Sequence, residues 1–346
     1  MNHNKYFYFL DFLRCYAVLS VVFFHFPIIS NNPYFKYLYD CLPGVPLFFT
    51  ISGFLITKIL TEKKKKLTNK IILRSFYARR VLRIFPIYYI TLILLLIFKY
   101  NSYINQFFYD FFYVSNLKIG YDGGYQNTIA PHFWSLSVEE QFYLFWPFII
   151  LFFKNKKILI VSSILFLGGI ISLVISGHIS QYYLFFVDRT FGNFSFIGLG
   201  CLLAYLYTNT NVIQLFKKYL LLISWLLISI FIIGFYIFKD NIYFTFFFSF
   251  FLIAFLILFS IKINGVNFAK YNPLNFFIFI GKISYGIYIY HIFIPDILYF
   301  LNLKLPIYNN INLFNILVLI SSIFIATFSW YTIEKYFLNL KSKFNY

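Results

Sequence analysis

The chain is poor in charged residues, and in acidic ones most of all. Only 12% of its 346 residues are charged, and 11 Asp and Glu stand against 29 Lys and Arg, while 61% of the residues are hydrophobic. A soluble domain is about half apolar and about a quarter charged, so this composition excludes an ordinary soluble domain. It indicates instead a protein that crosses a membrane several times.

The formal net charge of +18 would on its own suit a nucleic-acid partner. The basic residues, however, lie in short loops between apolar runs, where they carry information about membrane orientation. We therefore expect the lipid bilayer as a partner, and no nucleic acid.

Cysteine is also scarce, and long polar stretches are lacking. Three cysteines are too few for a disulfide framework and do not form a metal signature, so no metal site is expected. Two of them, Cys15 and Cys201, lie in apolar runs and are expected to pack as small hydrophobic residues. Because no polar stretch is long enough for a second domain, residues 1–346 are predicted to form a single membrane-embedded domain with no soluble accessory domain.

Apolar runs of spanning length recur ten times. They predict an all-α fold, a polytopic membrane bundle of about ten transmembrane helices. The third run is short enough to need the amphipathic residues that precede it. The ten runs are Tyr8–Ile29, Leu42–Leu60, Ile84–Phe98, Trp134–Phe153, Ile158–Gly177, Phe191–Tyr207, Tyr219–Phe238, Ile242–Ile261, Phe276–Phe300 and Leu313–Ile333.

Loop charges predict the orientation of these spans. With the N-terminus inside the cell, 21 basic residues fall in inner loops and 6 in outer loops, leaving aside Arg14 and Lys282, which lie within spans. Because cytoplasmic loops are enriched in Lys and Arg, both termini are expected in the cytoplasm.

The stretch Leu10–Phe26, LDFLRCYAVLSVVFFHF, is apolar enough to enter a membrane and yet contains Arg14 and His25. On a helix their separation of eleven residues is three turns plus about 20°, so they share one face and lie about 16 Å apart. Charged groups in a bilayer usually face a protein interior or a water-filled site. The pattern alone leaves two interpretations open: a functional pair, or an Arg14 that snorkels to one membrane face and a His25 that is hydrogen-bonded in the core.

Two adjacent acids, Glu139 and Glu140, lie in the segment Pro131–Tyr143, PHFWSLSVEEQFY. The predicted orientation starts this span from the outside, so both carboxyl groups are expected one to two turns into the membrane, at the depth of His25. A carboxylate paired with a histidine fixes its tautomer and raises its basicity. The alternative is that one glutamate caps the helix start beside a serine of this segment. We expect one glutamate to be structural and one functional, with Glu139 favoured for the function.

Arg79, Arg80 and Arg83 lie at the predicted cytoplasmic end of the third span. Arginines three or four residues apart share a helix face, and each can bind a phosphate group with two hydrogen bonds, which lysine does less well. This spacing is a hint of phosphate binding. Anchoring of the span is the commoner role of such clusters, and it is the role we assign to Lys63–Lys66.

Four further features carry weaker signals. Small residues interrupt the second span at Gly44–Phe54, which usually means close helix packing, although backbone that lines a cavity also uses them. Asp188 and Arg189 are expected to form a self-satisfied surface pair. Ser284–His291 places a second histidine in the ninth span, and Glu334, at the end of the tenth, is expected to meet solvent or the lysine that follows it.

Together these motifs resemble the acyltransferase-3 family of integral-membrane acyltransferases, which includes bacterial O-acetylases of surface polysaccharides. The most specific elements are FWSLSVEEQFY and the Arg–x10–His spacing in a polytopic protein. Cys15 departs from the glycine that the family commonly has after the arginine, and there is no room for the extracytoplasmic esterase-like domain that some relatives carry. The matching segments, in the family's order, are Leu10–His25, Gly44–Thr57, Arg79–Tyr89, Phe133–Pro147, DRT from Asp188, Gly281–His291 and Glu334.

The resemblance implies transfer of an acyl group, usually acetyl from acetyl-CoA, to a hydroxyl group of a carbohydrate or its lipid-linked precursor. O-antigen, exopolysaccharide, capsule and peptidoglycan all remain open as acceptors. The implied location is the bacterial inner (cytoplasmic) membrane, as a multi-pass protein. The implied residues are His25, Glu139 and Glu140 for catalysis, and Arg14, Arg80 and Arg83 for binding of the donor.

The expected mechanism combines this chemistry with the predicted depths. The phosphates of cytoplasmic acetyl-CoA would meet Arg80 and Arg83, and the pantetheine arm would extend past Arg14. His25 would act as the general base toward the acceptor hydroxyl, or would carry the acyl group briefly as a nucleophile.

Two rival functions use the same polar residues differently. A secondary transporter could use the intramembrane Arg, His and Glu as a proton relay, and a membrane assembly protein could use them as packing contacts. The sequence has no internal inverted repeat that would favour a transporter. An assembly role leaves the face shared by Arg80 and Arg83 unexplained.

Overall fold

The computed structural model describes residues 7–28, 33–125, 128–176, 187–209, 212–238, 241–263, 272–301 and 310–344. Within these ranges the regular structure is helical and contains no strand, which confirms the all-α prediction. The helices are α1 (Tyr8–His25), α2 (Pro33–Cys41), α3 (Gly44–Lys64), α4 (Asn69–Phe111), α5 (Ser115–Tyr121), α6 (Phe133–Phe152), α7 (Asn155–Ser176), α8 (Asn193–Asn209), α9 (Val212–Phe238), α10 (Ile242–Lys262), α11 (Asn272–Lys282), α12 (Ser284–Tyr290), α13 (Ile294–Phe300), α14 (Ile311–Ser329) and α15 (Lys335–Asn339).

Eight helices in the described ranges are long and apolar enough to cross a membrane. A ninth candidate is the bent pair Leu274–Lys282 and Ser284–Phe300, whose halves meet at 60°. The predicted span Trp134–Phe153 forms the 20-residue helix α6 but is not among the eight, because the polar run Ser135–Gln141 lowers its mean hydropathy. The count of about ten spans and the cytoplasmic location of both termini therefore stay predictions.

The chain divides into two compact units, each described here by itself. The first consists of Met1–Ile51 and Tyr205–Ala326, and the second of Ser52–Ala204 and Thr327–Tyr346. Of the predicted site residues, Arg14 and His25 belong to the first unit. The two glutamates and the arginines of α4 belong to the second.

In the first unit α1 packs along α11 and α12. The contact is closest at Gly281, where an added Cβ atom would lie 1.8 Å from the carbonyl oxygen of Asp11. At Gly44 an added Cβ would lie 2.2 Å from the carbonyl oxygen of Ala17. Only glycine lets the helices approach this closely, since any side chain would meet backbone. The packing role predicted for the small residues of the second span is thus confirmed at Gly44.

The second unit shows the same kind of contact between α3 and α8. An added Cβ at Gly53 would lie 2.3 Å from the carbonyl oxygen of Ile197. Cys201 of α8 is fully buried, and its Sγ lies 3.7 Å from the carbonyl oxygen of Gly53. Cys15 is likewise buried and is a free thiol, so both cysteines pack as predicted.

The longest element of the second unit is α4, which has 43 residues and a non-helical backbone at Lys99. It joins the predicted third span to the amphipathic residues before it, so Arg79–Arg83 lie on the same continuous helix as the span. The C-terminal residues from Trp330 to Phe344 pack against α4. The basic cluster therefore has the end of the described chain as a neighbour.

A buried polar network fixes the far end of α4, beyond the candidate span that ends at Lys99. Oδ2 of Asp110 accepts hydrogen bonds of 2.9 Å from the Tyr103 hydroxyl and from the Gln106 amide. Oε1 of Gln106 accepts from the backbone N–H of Ile129 at 2.9 Å, which ties the segment before α6 to α4. Burial raises the pKa of Asp110 to about 7, because the charged form loses its hydration.

We predict that Gly281→Ala destabilises the protein, because its new methyl group would overlap the Asp11 carbonyl and push α1 away from α11. Overpacking of this kind costs about 1–3 kcal/mol, so the thermal midpoint of the detergent-solubilised protein should fall. Gly168→Ala in α7 is the matched control, since an added Cβ there meets none of the described atoms within 4 Å. Equal midpoints for the two variants would contradict the close contact.

Candidate active site

His25 is the last residue of α1, and its Nδ1 faces two groups. That nitrogen lies 3.0 Å from the carbonyl oxygen of Val21 and 3.2 Å from Nε2 of His291. No described residue makes a hydrogen bond with the other ring nitrogen of His25, Nε2. A backbone carbonyl only accepts, so Nδ1 carries the hydrogen of the neutral ring and Nε2 keeps its lone pair.

His291 is the first residue of a 3-10 turn that follows α12, and it is fully buried. Its Nδ1 lies 2.7 Å from the carbonyl oxygen of Tyr288, and its ring centre lies 5.1 Å from that of His25. From the sequence this histidine is a second histidine of the ninth span, without a predicted role. The nearest signal was its place at the end of the segment GKISYGIYIYH.

Arg14 and His25 lie on one uninterrupted helix, as predicted. Nη1 of Arg14 is 2.8 Å from Oδ1 of Asp11, whose side chain is 3% exposed. A buried carboxylate one turn away therefore pairs with Arg14, and the choice between a functional Arg14 and one that snorkels to a membrane face stays open. The guanidinium has five N–H donors, and within the described residues only Nη1 makes a hydrogen bond, so the remaining donors can bind a ligand.

Glu139 lies two turns into α6, where its Oε1 accepts hydrogen bonds from the hydroxyl groups of Ser52 and Tyr143. The Tyr143 hydroxyl also lies 3.1 Å from Oγ of Ser52. The helix start at His132 has no side-chain cap, so the capping alternative is wrong for Glu139. The described hydrogen bonds of Glu139 go to hydroxyl groups, and its pairing with His25 stays a prediction.

Arg80 contacts the same group of residues. Its guanidinium carbon lies 5.1 Å from the centre of the Tyr143 ring and 5.7 Å from that of Phe76, both within cation–π range. Its positive charge also acts on the carboxyl group of Glu140. The predicted depths placed Arg80 and the glutamates in opposite halves of the membrane, and that separation is wrong. A depth estimated from the backbone overlooks the length of the arginine side chain.

A second group of charges surrounds Arg83. Glu334 is buried, at 6% exposure, and the charges of Arg83 and Lys341 act on it. The expectation that Glu334 meets solvent is therefore wrong, because the C-terminal segment folds against α4. Arg79 and Arg80 also act on Lys341, so this group contains three guanidinium groups, one amine and one carboxyl group. From the sequence, Lys341 is only one of the basic residues of the predicted inner loops.

Neither the predicted surface pair nor a metal site adds to this geometry within the described residues. The side chains of Asp188 and Arg189 lie outside the described residues, so the surface pair expected there stays a prediction. Within the described ranges, no three His, Cys, Asp or Glu side chains are grouped as a metal site requires.

Comparison with known proteins agrees with a membrane acyl-transfer domain. Residues 7–334 match the family described as the acyltransferase domain, Acyl_transf_3. The chain is 31% identical over 331 residues to the O-acetyltransferase OatA of Staphylococcus aureus, in strains NCTC 8325 and COL. Each match covers 86% of this chain and 52% of the relative, so the chain spans about half the length of these curated relatives. No solved structure matches.

The helical fold, with its apolar helices long enough to cross a membrane, agrees with this family match. The chain belongs to the acyltransferase-3 family, which confirms the resemblance drawn from the sequence.

We predict that Glu139→Ala lowers the thermal midpoint of the purified protein, because it removes the acceptor of the Ser52 and Tyr143 hydroxyls. An unsatisfied buried polar group costs about 1–3 kcal/mol. Glu139→Gln keeps an oxygen acceptor and should unfold close to wild type. A Glu139→Ala protein as stable as wild type would contradict the role of Glu139 in this contact.

Proposed function

We propose that this chain is an integral-membrane O-acetyltransferase of the bacterial inner membrane. It transfers an acetyl group from cytoplasmic acetyl-CoA to a hydroxyl group of a cell-surface carbohydrate or its lipid-linked precursor. Membership of the acyltransferase-3 family and the name of the relatives support this proposal. The acceptor is one of O-antigen, exopolysaccharide, capsule and peptidoglycan.

The observation that carries the proposal is the tautomer of the His25 ring, which places the hydrogen on Nδ1. Its Nδ1 faces the Val21 carbonyl, so the neutral ring presents an unprotonated Nε2. A sugar hydroxyl is a poor nucleophile at neutral pH, and a positioned general base speeds its reaction by about 10²–10⁴-fold. An assembly protein has no comparable need for a histidine held in this state.

The reaction then proceeds in two steps. Nε2 of His25 takes the proton of the acceptor hydroxyl as its oxygen bonds to the thioester carbonyl carbon. The tetrahedral intermediate breaks its carbon–sulfur bond, and the CoA thiolate receives the proton from the imidazolium, so the products are the O-acetyl ester and free CoA thiol. In the alternative order, Nε2 itself attacks the thioester carbon and displaces CoA thiolate, which leaves an acetyl-imidazolium. The acceptor oxygen then bonds to the acetyl carbon as the carbon–nitrogen bond breaks, and the hydroxyl proton goes to the CoA thiolate.

The basic residues of α4 supply the donor site in this proposal. Arg80 and Arg83 belong to the group of three guanidinium groups, one amine and one carboxyl group, whose excess positive charge suits the phosphates of acetyl-CoA. We assign the donor's amide or thioester carbonyl groups to the remaining N–H donors of Arg14. The oxygen of each carbonyl group accepts a hydrogen bond from a guanidinium N–H.

The two glutamates remain catalytic candidates in the proposal. Glu139 and Glu140 lie beside Arg80. A carboxylate there offsets part of the positive charge of the donor site. We also retain the sequence-based proposal that one of them stabilises the imidazolium of His25 during proton transfer. Glu139 stays the favoured residue, because two hydroxyl groups hold its carboxylate in place.

We predict that His25→Ala lowers acetyl transfer by about 10²–10⁴-fold, which is the usual contribution of a general base. Membranes containing the protein receive radiolabelled acetyl-CoA, and alkali-labile acetyl esters on envelope carbohydrate are counted together with released CoA thiol. Immunoblotting checks that the variant is inserted and abundant. His178→Ala serves as the histidine control. Undiminished transfer by His25→Ala would overturn the proposed function.

We predict that the double variant Arg80→Ala and Arg83→Ala raises the KM for acetyl-CoA. A hydrogen bond to a charged group contributes about 1.5–3 kcal/mol, which corresponds to roughly tenfold or more in KM. Arg74→Ala is the matched control, because Arg74 lies on the same helix and is exposed. An unchanged KM in the double variant would remove these residues from the donor site.

A further inference from the structure

We infer that His291 is a positioning residue for the catalytic base: its Nε2 accepts the Nδ1 proton of His25 and so holds that ring in the tautomer with a basic Nε2. The inference rests on the proposed function and deepens it. It assigns a role to a buried side chain from another part of the chain.

The tautomer of His291 follows from its own neighbour. Its Nδ1 lies 2.7 Å from the carbonyl oxygen of Tyr288, which can only accept, so Nδ1 is protonated. A second proton on Nε2 would create an imidazolium in a fully buried position, and burial of a charge is costly. The neutral ring therefore offers the lone pair of Nε2 as an acceptor.

That lone pair faces Nδ1 of His25 at 3.2 Å. Nδ1 of His25 has two acceptors, since the Val21 carbonyl lies at 3.0 Å. With acceptors on both sides, the proton of the neutral His25 ring stays on Nδ1 and the lone pair stays on Nε2. The Tyr288 carbonyl thus fixes the tautomer of His291, and with it the direction of the hydrogen bond between His25 and His291.

The two acceptors of the His25 Nδ1 proton restrict different motions of the ring. Val21 is one turn away on α1 itself and moves with His25. His291 belongs to the turn after α12, so its hydrogen bond fixes the rotation of the His25 ring relative to a second element. The close packing of α1 on α11 at Gly281 maintains that relation.

His291 also acts once the proton has been transferred. The imidazolium of His25 keeps its Nδ1–H pointed at two acceptors, and a hydrogen bond from a charged donor is about twice as strong as a neutral one. His291 therefore stabilises the charged state of the base relative to the neutral state. Orienting partners in catalytic and metal sites have this role, and their loss typically lowers activity or metal affinity by about 10–100-fold.

The test compares His291→Leu and His291→Gln in the full-length protein with acetyl-CoA as donor. Leucine removes the acceptor, so kcat should fall about 10–100-fold while the KM for acetyl-CoA stays unchanged. Glutamine offers an amide oxygen to the Nδ1 proton, so it should recover most of the lost kcat. His25→Ala is measured in parallel, so that loss of the proposed function is seen separately.

An unchanged kcat in His291→Leu, or equal losses in two well-folded variants, would overturn the inference while His25→Ala remained inactive. Activity in His25→Ala would overturn the proposed function itself. Should His291→Leu fail to fold, the ¹⁵N NMR spectrum of histidine-labelled wild-type protein gives the same decision. A protonated Nδ1 and a bare Nε2 on His291 support the inference, and a protonated Nε2 contradicts it.

Discussion

The hydrogen bond between His25 and His291 is the interaction on which the chemistry of the first unit depends. Nδ1 of His25 lies 3.2 Å from Nε2 of His291, and the Tyr288 carbonyl sets the direction of the hydrogen bond between these two nitrogens. Farther along the helix of His25, Gly281 lets α11 lie close against α1 at Asp11.

In the second unit, the corresponding constraint is that polar groups among apolar helices must find partners. The Glu139 carboxylate takes the hydroxyl groups of Ser52 and Tyr143, and Arg80 lies over the Tyr143 ring. Acid, phenol and guanidinium therefore form one connected group on α3, α4 and α6. In the proposed function, the excess positive charge around Arg83 binds the anionic donor.

Local periodicity predicted what lies within single helices. The helical class, the placement of Arg14 and His25 on α1, and the packing of Cys15 and Cys201 all follow from the apolar runs. Contacts between distant segments were beyond this reasoning, since His291 is 266 residues from His25. The predicted depth of a residue in the membrane is the depth of its backbone, and a long side chain can reach well beyond it. For this reason the sequence predicted Arg80 and Glu139 to lie apart. Burial of Glu334 depends on a C-terminal segment whose packing no local pattern encodes.

The central claim is that His25 presents an unprotonated Nε2 to the acceptor hydroxyl. Its most direct test is the ¹⁵N spectrum of histidine-labelled protein in lipid nanodiscs at neutral pH, from which the His25→Ala spectrum is subtracted to isolate His25. The structure predicts a protonated Nδ1 and an unprotonated Nε2. A His25 protonated on Nε2, either as the other tautomer or as an imidazolium, would contradict it.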